Sequence, residues 1–229
     1  MPSIAGFASK DNVAALGSVV GIMMSLSPVP TFIDIAIYSK TTGGYTVAPY
    51  ISSVCCSSIW LTYAILAGSS KSDLIPLNAL SIAIYIVYCL VFLTYADNRQ
   101  EILRTYTAAL LIIASIAALA TLAQSLLLIG ILAIAANCLM FAAPLAIIKE
   151  VVKTKSVRYM PFLMSFMSFL CASVWLTWAI MAQDFFVMFP NALGTLFGLA
   201  QLVLYSVYWR MERSEKRRCA SYSRVTQLE

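Results

Sequence analysis

The sequence predicts an all-α membrane protein in which seven transmembrane helices form two parallel three-helix bundles joined by a linker helix, a 3+1+3 arrangement. Three observations predict it. Of 229 residues, 61% are hydrophobic and only 11% are charged, where a soluble domain carries about 25% charged residues. Charge-free runs long enough to cross a bilayer recur along the chain, since a spanning helix needs roughly 20 apolar residues. The second half of the chain also repeats the first.

The charge-free runs cover 12–33, 41–70, 74–96, 105–148, 159–183 and 185–209. The run 105–148 is too long for one crossing, and the polar pair Gln124–Ser125 divides it. The expected spans are therefore 12–36, 47–68, 74–96, 103–122, 126–149, 159–182 and 185–209. With the N-terminus outside, the outer segments carry Lys10 and Lys71 alone, and the other thirteen of the fifteen Lys and Arg fall inside. That bias predicts N-out and C-in. It also assigns the basic tail to the inner lipid surface, so the positive net charge does not argue for nucleic acid. The expected organisation is an outer segment 1–11, a first repeat 12–96, a loop and linker helix 97–125, a second repeat 126–209 and a basic cytoplasmic tail 210–229.

The repeat is legible in the residues. WLTYAILA at 60–67 answers WLTWAIMA at 175–182, and NAL at 78–80 returns at 191–193. Ser27-Pro28 answers Ala143-Pro144, and Pro49-Tyr50 answers Pro161-Phe162. The offsets are 115, 113, 116 and 112 positions, in one order. Three spans are an odd number, so a directly joined copy would be inverted, and the fourth span restores a parallel orientation. Transporters place substrate at such repeat interfaces near the bilayer midplane.

The paired residues have chemistry to match. Proline inside a helix removes a backbone hydrogen bond and clashes with the previous turn, at a cost of about 3 kcal/mol. Pro28 and Pro144 lie toward the inner ends of spans 1 and 5, and Pro49 and Pro161 open spans 2 and 6 from the same side. Four prolines at one depth predict a ring of hinges. Asn78 and Asn191 fall in the first turns of spans 3 and 7, just after Pro76 and Pro190. An amide suits sugar hydroxyls and does not suit hydrocarbon, so both are candidate substrate contacts. Trp60 and Trp175 follow Pro49 and Pro161 by 11 and 14 residues. The difference is close to one helical turn, so both indoles can face one cavity and stack on a pyranose ring. Trp178 and Trp209 read as belt or packing residues, and the six cysteines as apolar packing without metal-ligand or disulfide spacing.

What is missing narrows the class. Asp34, Asp73, Asp97, Glu101, Glu150 and Asp184 all lie at helix ends or in loops. An ion-coupled carrier usually has a buried ionisable relay, so downhill uniport is expected. Without a nucleotide loop, catalytic dyad or metal cluster, neither an enzyme nor a cofactor is expected. The first segment lacks a basic leader and runs into a span long enough to cross, which argues against a cleaved signal peptide.

These residues resemble the eukaryotic SWEET sugar transporters. The resemblance covers roughly 12–210 and is carried by SLSPVPTF (25–32), APY (48–50), AAPLAII (142–148), KTKSVRYMPF (153–162) and FPNALGTLFG (189–198). Parallel repeats are a known property of that family. The resemblance implies that Pro28, Pro49, Pro144 and Pro161 form its proline tetrad, that Asn78, Asn191, Trp60 and Trp175 line its pocket, and that Tyr63, Asp184 and Gly130 belong to its outer gate. It further implies a mono- or disaccharide substrate, a homo-oligomer (a trimer), and residence in the plasma membrane or an endomembrane such as the vacuolar one. The chain departs from the family at ISSVCCSSIWLTYAIL (51–66), at Ala64 and Ala179 where gate glycines are usual, and at the Ala after each pocket Asn. Two facing indoles leave little room, which favours a monosaccharide such as glucose.

Two other classes are weighed. A seven-helix receptor lacks the repeat, and no Asp-Arg-Tyr triplet ends span 3. Related repeat proteins that export amino acids or bind cargo often carry Pro-Gln at the hinge, where this chain has PV, PY, PL and PF. The tail is expected to be disordered, and its Tyr222-Ser-Arg-Val225 matches a tyrosine-based sorting signal.

Overall fold

A computed structural model describes residues 9–157, 160 and 162–225, apart from the side chains of 117, 120, 121, 143, 212 and 215–225. Among the described residues every regular element is a helix: α1 Lys10–Leu26, α2 Val29–Ile33, α3 Ala48–Ala67, α4 Ile75–Tyr95, α5 Arg99–Ala123, α6 Leu126–Met140, α7 Ala142–Thr154, α8 Phe162–Met181 and α9 Phe185–Val225. A π-helical turn, Asp34–Ser39, prolongs α2, and a 3₁₀ segment, Gly68–Leu74, joins α3 to α4. Five stretches are long and apolar enough to cross a membrane: Lys10–Ser39, Ala48–Tyr95, Leu126–Thr154, Phe162–Met181 and Phe185–Met211. The stretch Ala48–Tyr95 contains both α3 and α4.

Sequence dictates where the helices start and break. Ser9 caps α1 through a hydrogen bond from the Asn12 N–H, and Ser125 caps α6 by accepting from the Leu128 N–H; both satisfy first-turn donors that would otherwise lack partners. The stretch Lys10–Ser39 breaks at Ser27-Pro28, and Leu126–Thr154 breaks at Phe141, three residues before Pro144. Pro28 cannot donate to Met24, whose carbonyl accepts the Ser27 N–H at 3.1 Å instead. This is the 3₁₀ repair expected at a proline. Pro49 sits in the first turn of α3, where its missing N–H costs nothing. Pro161 lies outside the described residues.

Left-handed backbone recurs at matched places. Lys40 (φ 54°) ends the first stretch and Lys155 (φ 53°) ends α7; Gly68 (φ 69°) follows α3 and Gln183 (φ 51°) follows α8. Each pair is 115 positions apart. At Lys40 and Lys155 this is the left-handed cap that ends a helix by closing its last carbonyls, and three of the four positions carry a residue for which positive φ is strained.

Helix packing is reciprocal. α1 lies against α8, α3 lies against α6, and α4 and α9 flank these pairs by packing on α3 and α8. α5 packs chiefly on α3. Two corrections apply to the expected boundaries. α9 does not stop at 209 but continues as helix to Val225, so residues 210–225 of the tail expected to be disordered are helical; Tyr222 and its neighbours lie where only the backbone is described. Asn191 is the seventh residue of α9, beyond its first turn, and Pro190 stands inside that helix.

Candidate functional site

A cavity lies between α1, α3, α4, α6, α8 and α9. It has two adjoining chambers of about 170 and about 250 Å³. Asn78, Leu77, Asn137 and Cys171 line both, so they form one space. Together the chambers fall within the roughly 300–1,000 Å³ usual for a small-molecule site.

The first chamber holds all four residues expected to contact substrate: Trp60, Asn78, Trp175 and Asn191. Asn78 Nδ2 donates to the Leu74 carbonyl at 2.8 Å, and Asn191 Nδ2 donates to the Val187 carbonyl at 2.8 Å. Each amide thus uses one N–H on the carbonyl four residues back. One N–H and the oxygen remain for a ligand at each position, because an amide has two donors and an acceptor. The indoles are equally matched. Trp60 stands edge-on to Tyr63 at 5.6 Å, and Trp175 stands edge-on to Trp178 at 5.6 Å, within the spacing where aromatic pairs attract. Gly17 makes room for Trp175, since a Cβ there would lie 2.9 Å from the indole. The Trp175 N–H is buried and has no hydrogen-bond partner.

The structure adds residues that the sequence reading missed. Asn137 on α6 lines both chambers, with its Oδ1 4.0 Å from the Cys56 sulfur. Its signal was a lone amide in the apolar run AIAANCLM, a residue that hydrocarbon disfavours. Cys56 and Cys171, read as packing residues, also line the cavity. Met24 and Met140 line the second chamber, the larger of the two, which lies nearer to Pro28.

The other end is closed. The Tyr63 hydroxyl donates to Asp184 Oδ2 at 2.9 Å, and Lys71 Nζ reaches the same oxygen at 2.9 Å. Lys71 also donates to the Ala182 carbonyl at 3.1 Å. Asp184 Oδ1 accepts the Val187 N–H at 3.2 Å, which caps α9. Asp184 is thus a buried carboxylate, contrary to the expectation that none is present, and Lys71 balances its charge away from the cavity. Gly130 packs beneath this network, where a Cβ would lie 2.5 Å from Phe186. Trp178 is no belt residue: it is fully buried and donates from Nε1 to Asp73 Oδ2 at 3.1 Å. Tyr63, Asp184 and Gly130 therefore gather at one end, while Pro28 and Pro49 lie toward the other.

A separate recess of about 220 Å³ between α3, α4 and α5 has apolar walls. Its lining Tyr106 uses its hydroxyl on the Cys89 carbonyl at 2.6 Å, so this recess offers a polar ligand nothing. The amide-lined cavity is the candidate site.

Comparison with known proteins gives the family of the chain. The family model described as a sugar efflux transporter for intercellular exchange matches this chain twice, over residues 11–100 and 127–213. The Petunia hybrida bidirectional sugar transporter NEC1 is 35% identical over 199 residues, covering 84% of this chain and 74% of the relative. The Arabidopsis thaliana bidirectional sugar transporter SWEET7 is 35% identical over 207 residues, covering 86% and 80%. A solved structure of a eukaryotic SWEET transporter superposes with a TM-score of 0.80 at 27% identity, over 88% of this chain and 99% of that one. An all-helical chain with repeated apolar helices, an amide-and-indole cavity and these relatives belongs to the SWEET family of membrane sugar transporters.

Proposed function

We propose that this chain is a uniporter that carries a hexose such as glucose down its gradient by alternating access. In this reading 12–96 and 126–209 are parallel three-helix repeats, and residues 97–125 supply the linker helix. The Asp184 end faces outside with the N-terminus, and the tail lies in the cytoplasm. The observation that carries the proposal is the cavity itself: two amides and two indoles at paired positions, closed toward Asp184, with its larger chamber on the side of Pro28. The matched positive-φ positions and the twofold match of one family model support the repeat assignment.

The conformation is then the inward-facing one. Sugar hydroxyls bond to the amides of Asn78 and Asn191, and the indoles of Trp60 and Trp175 cover the C–H faces of the ring. Asn137 adds an amide on one side only, because its counterpart 116 positions earlier is Gly21. Rocking about the breaks at Pro28 and Pro144, with Pro49 at the base of α3, closes the inner mouth and parts Tyr63 from Asp184. Among the described residues, the carboxylates and amines near the cavity are the balanced pairs at its closed end, which supports transport without ion coupling. The plasma membrane is the proposed site of action.

Labelled glucose uptake in hexose-transport-deficient yeast tests this, with wild type, Asn78→Ala and Asn191→Ala at equal surface expression. Wild-type uptake should be insensitive to pH, and both variants should lose it. Sucrose transport exceeding hexose transport in the same cells would overturn the monosaccharide assignment, and amino-acid uptake without sugar uptake would overturn the sugar itself.

A further inference from the structure

The closed end contains a second network that no gate assignment includes. Asp73, in the segment before α4, receives the Trp178 N–H at 3.1 Å and Lys10 Nζ at 3.0 Å, both on Oδ2. This repeats the chemistry at Asp184, where one Oδ2 receives the Tyr63 hydroxyl and Lys71 Nζ. Tyr63 and Trp178 are 115 positions apart, the offset that also relates Trp60 to Trp175. In both networks an aromatic donor on one half of the chain meets an aspartate that leads into a helix of the other half. The two lysines stand 5.7 and 5.5 Å from the Trp178 ring centroid. Their four charges, two positive and two negative, form one cluster of zero net charge around a buried indole.

We propose that Asp73 and Trp178 form a second latch on the outer gate, which must break together with Tyr63–Asp184 before the cavity opens outward, and that Lys10 positions Asp73. The inference rests on the alternating-access reading above. The bonds differ in what they span. Tyr63–Asp184, Lys71–Asp184 and Trp178–Asp73 each join the two halves, so outward opening breaks all three. Lys10–Asp73 lies within the first half and can survive opening. Lys10 therefore acts by holding the carboxylate toward Trp178, and its removal has the smaller effect. The two networks also differ in solvent. The side chains of Lys71 and Asp184 are 12% and 1% exposed, and those of Lys10 and Asp73 are 33% and 19% exposed. Charges nearer to water are screened more strongly by salt, so salt loosens the second latch before the first.

Distance measurement between spin labels in lipid nanodiscs tests the proposal without depending on transport. Ketone-bearing amino acids at Ser69 and Met181, both exposed at this end, carry the labels and leave the native cysteines in place. Trp178→Phe keeps an aromatic ring and deletes the donor, and Asp73→Ala deletes the acceptor at a partly exposed position that the fold can tolerate. Each should raise the long-distance population on the order of tenfold, the factor expected for one hydrogen bond to a charged group. Lys10→Met should raise it about threefold, as a partly screened pair does. Wild-type distances in both Trp178→Phe and Asp73→Ala would overturn the latch. Asp184→Asn, the milder variant, which removes the charge that binds Lys71 and keeps the side chain's shape, then separates the two failures. If that variant lengthens the distance, the carrier reading survives with a single latch; if it also changes nothing, alternating access falls as well.

Discussion

The two ends of the helix bundle are held together by different physics. At the Asp184 end, one hydrophobic cluster draws on both halves of the chain, including Trp60, Tyr63, Ile129, Trp175, Trp178 and Val187. Directional bonds between charged and aromatic groups lie over that cluster. At the proline end, the second cluster, with Phe32, Ile35, Tyr50, Tyr88 and Phe92, comes from the first half alone. There Phe32 stacks on Tyr88 with centroids 4.3 Å apart, and the Tyr88 hydroxyl donates to the Ser25 carbonyl at 3.0 Å. These bonds make α1, α2, α3 and α4 a unit at that end without tying it to α8 or α9. A gate needs bonds that cross between the moving bodies, and a hinge needs bodies that hold together by themselves. The two ends differ in the way the proposed gate and hinge require.

The comparison is broken most severely at Asp184. Asp184→Ala strips a buried partner from Lys71 and Tyr63, and an uncompensated buried charge costs about 3–5 kcal/mol. The variant should melt well below wild type in detergent, and Asp184→Asn should lose less because it keeps an acceptor for Tyr63. A smaller effect is expected at Gly130. Gly130→Ala forces a methyl into the Phe186 ring, and overpacking costs about 1–3 kcal/mol, so thermal melting should fall while glucose affinity changes little. Pro144→Ala should restore the interrupted hydrogen bond between α6 and α7 and stiffen that break. Its mark is a lower transport rate at an unchanged melting temperature, measured as initial uptake against a melting curve. Smallest of all, Tyr88→Phe removes only the bond to Ser25, worth about 1 kcal/mol. It should lower stability slightly and leave the outer-end distances of the gate untouched, which sharpens the separation of the two ends.

Much of the architecture was legible in local composition. The boundaries expected for 47–68 and 74–96 match Ala48–Ala67 and Ile75–Tyr95 because a charge-free run of bilayer length leaves the backbone only its own carbonyls to bond. The far end of α9 was not legible. A basic stretch such as MERSEKRR reads as solvated tail, yet its residues are good helix formers that prolong a helix already nucleated. The pairing Asn78 with Asn191 and Trp60 with Trp175 was also readable, because similarity at a fixed offset requires no coordinates. Trp178 was readable only as a belt or a packing residue, and it is a packing residue of the buried core. An indole at a membrane edge resembles a belt residue until its N–H is seen to reach Asp73, 105 positions earlier.

Run length, residue type and repetition along the chain were thus enough to specify helices, the family resemblance and the paired cavity residues, since each depends on neighbours in sequence or on one constant offset. Which polar groups meet was decided only when helices distant in sequence packed together. Asp73 with Trp178, Lys71 with Asp184, and Asn137 with Cys56 are pairs separated by 105, 113 and 81 positions. Their bonds depend on side-chain direction to within a few tenths of an ångström, and only the packed helices fix that direction.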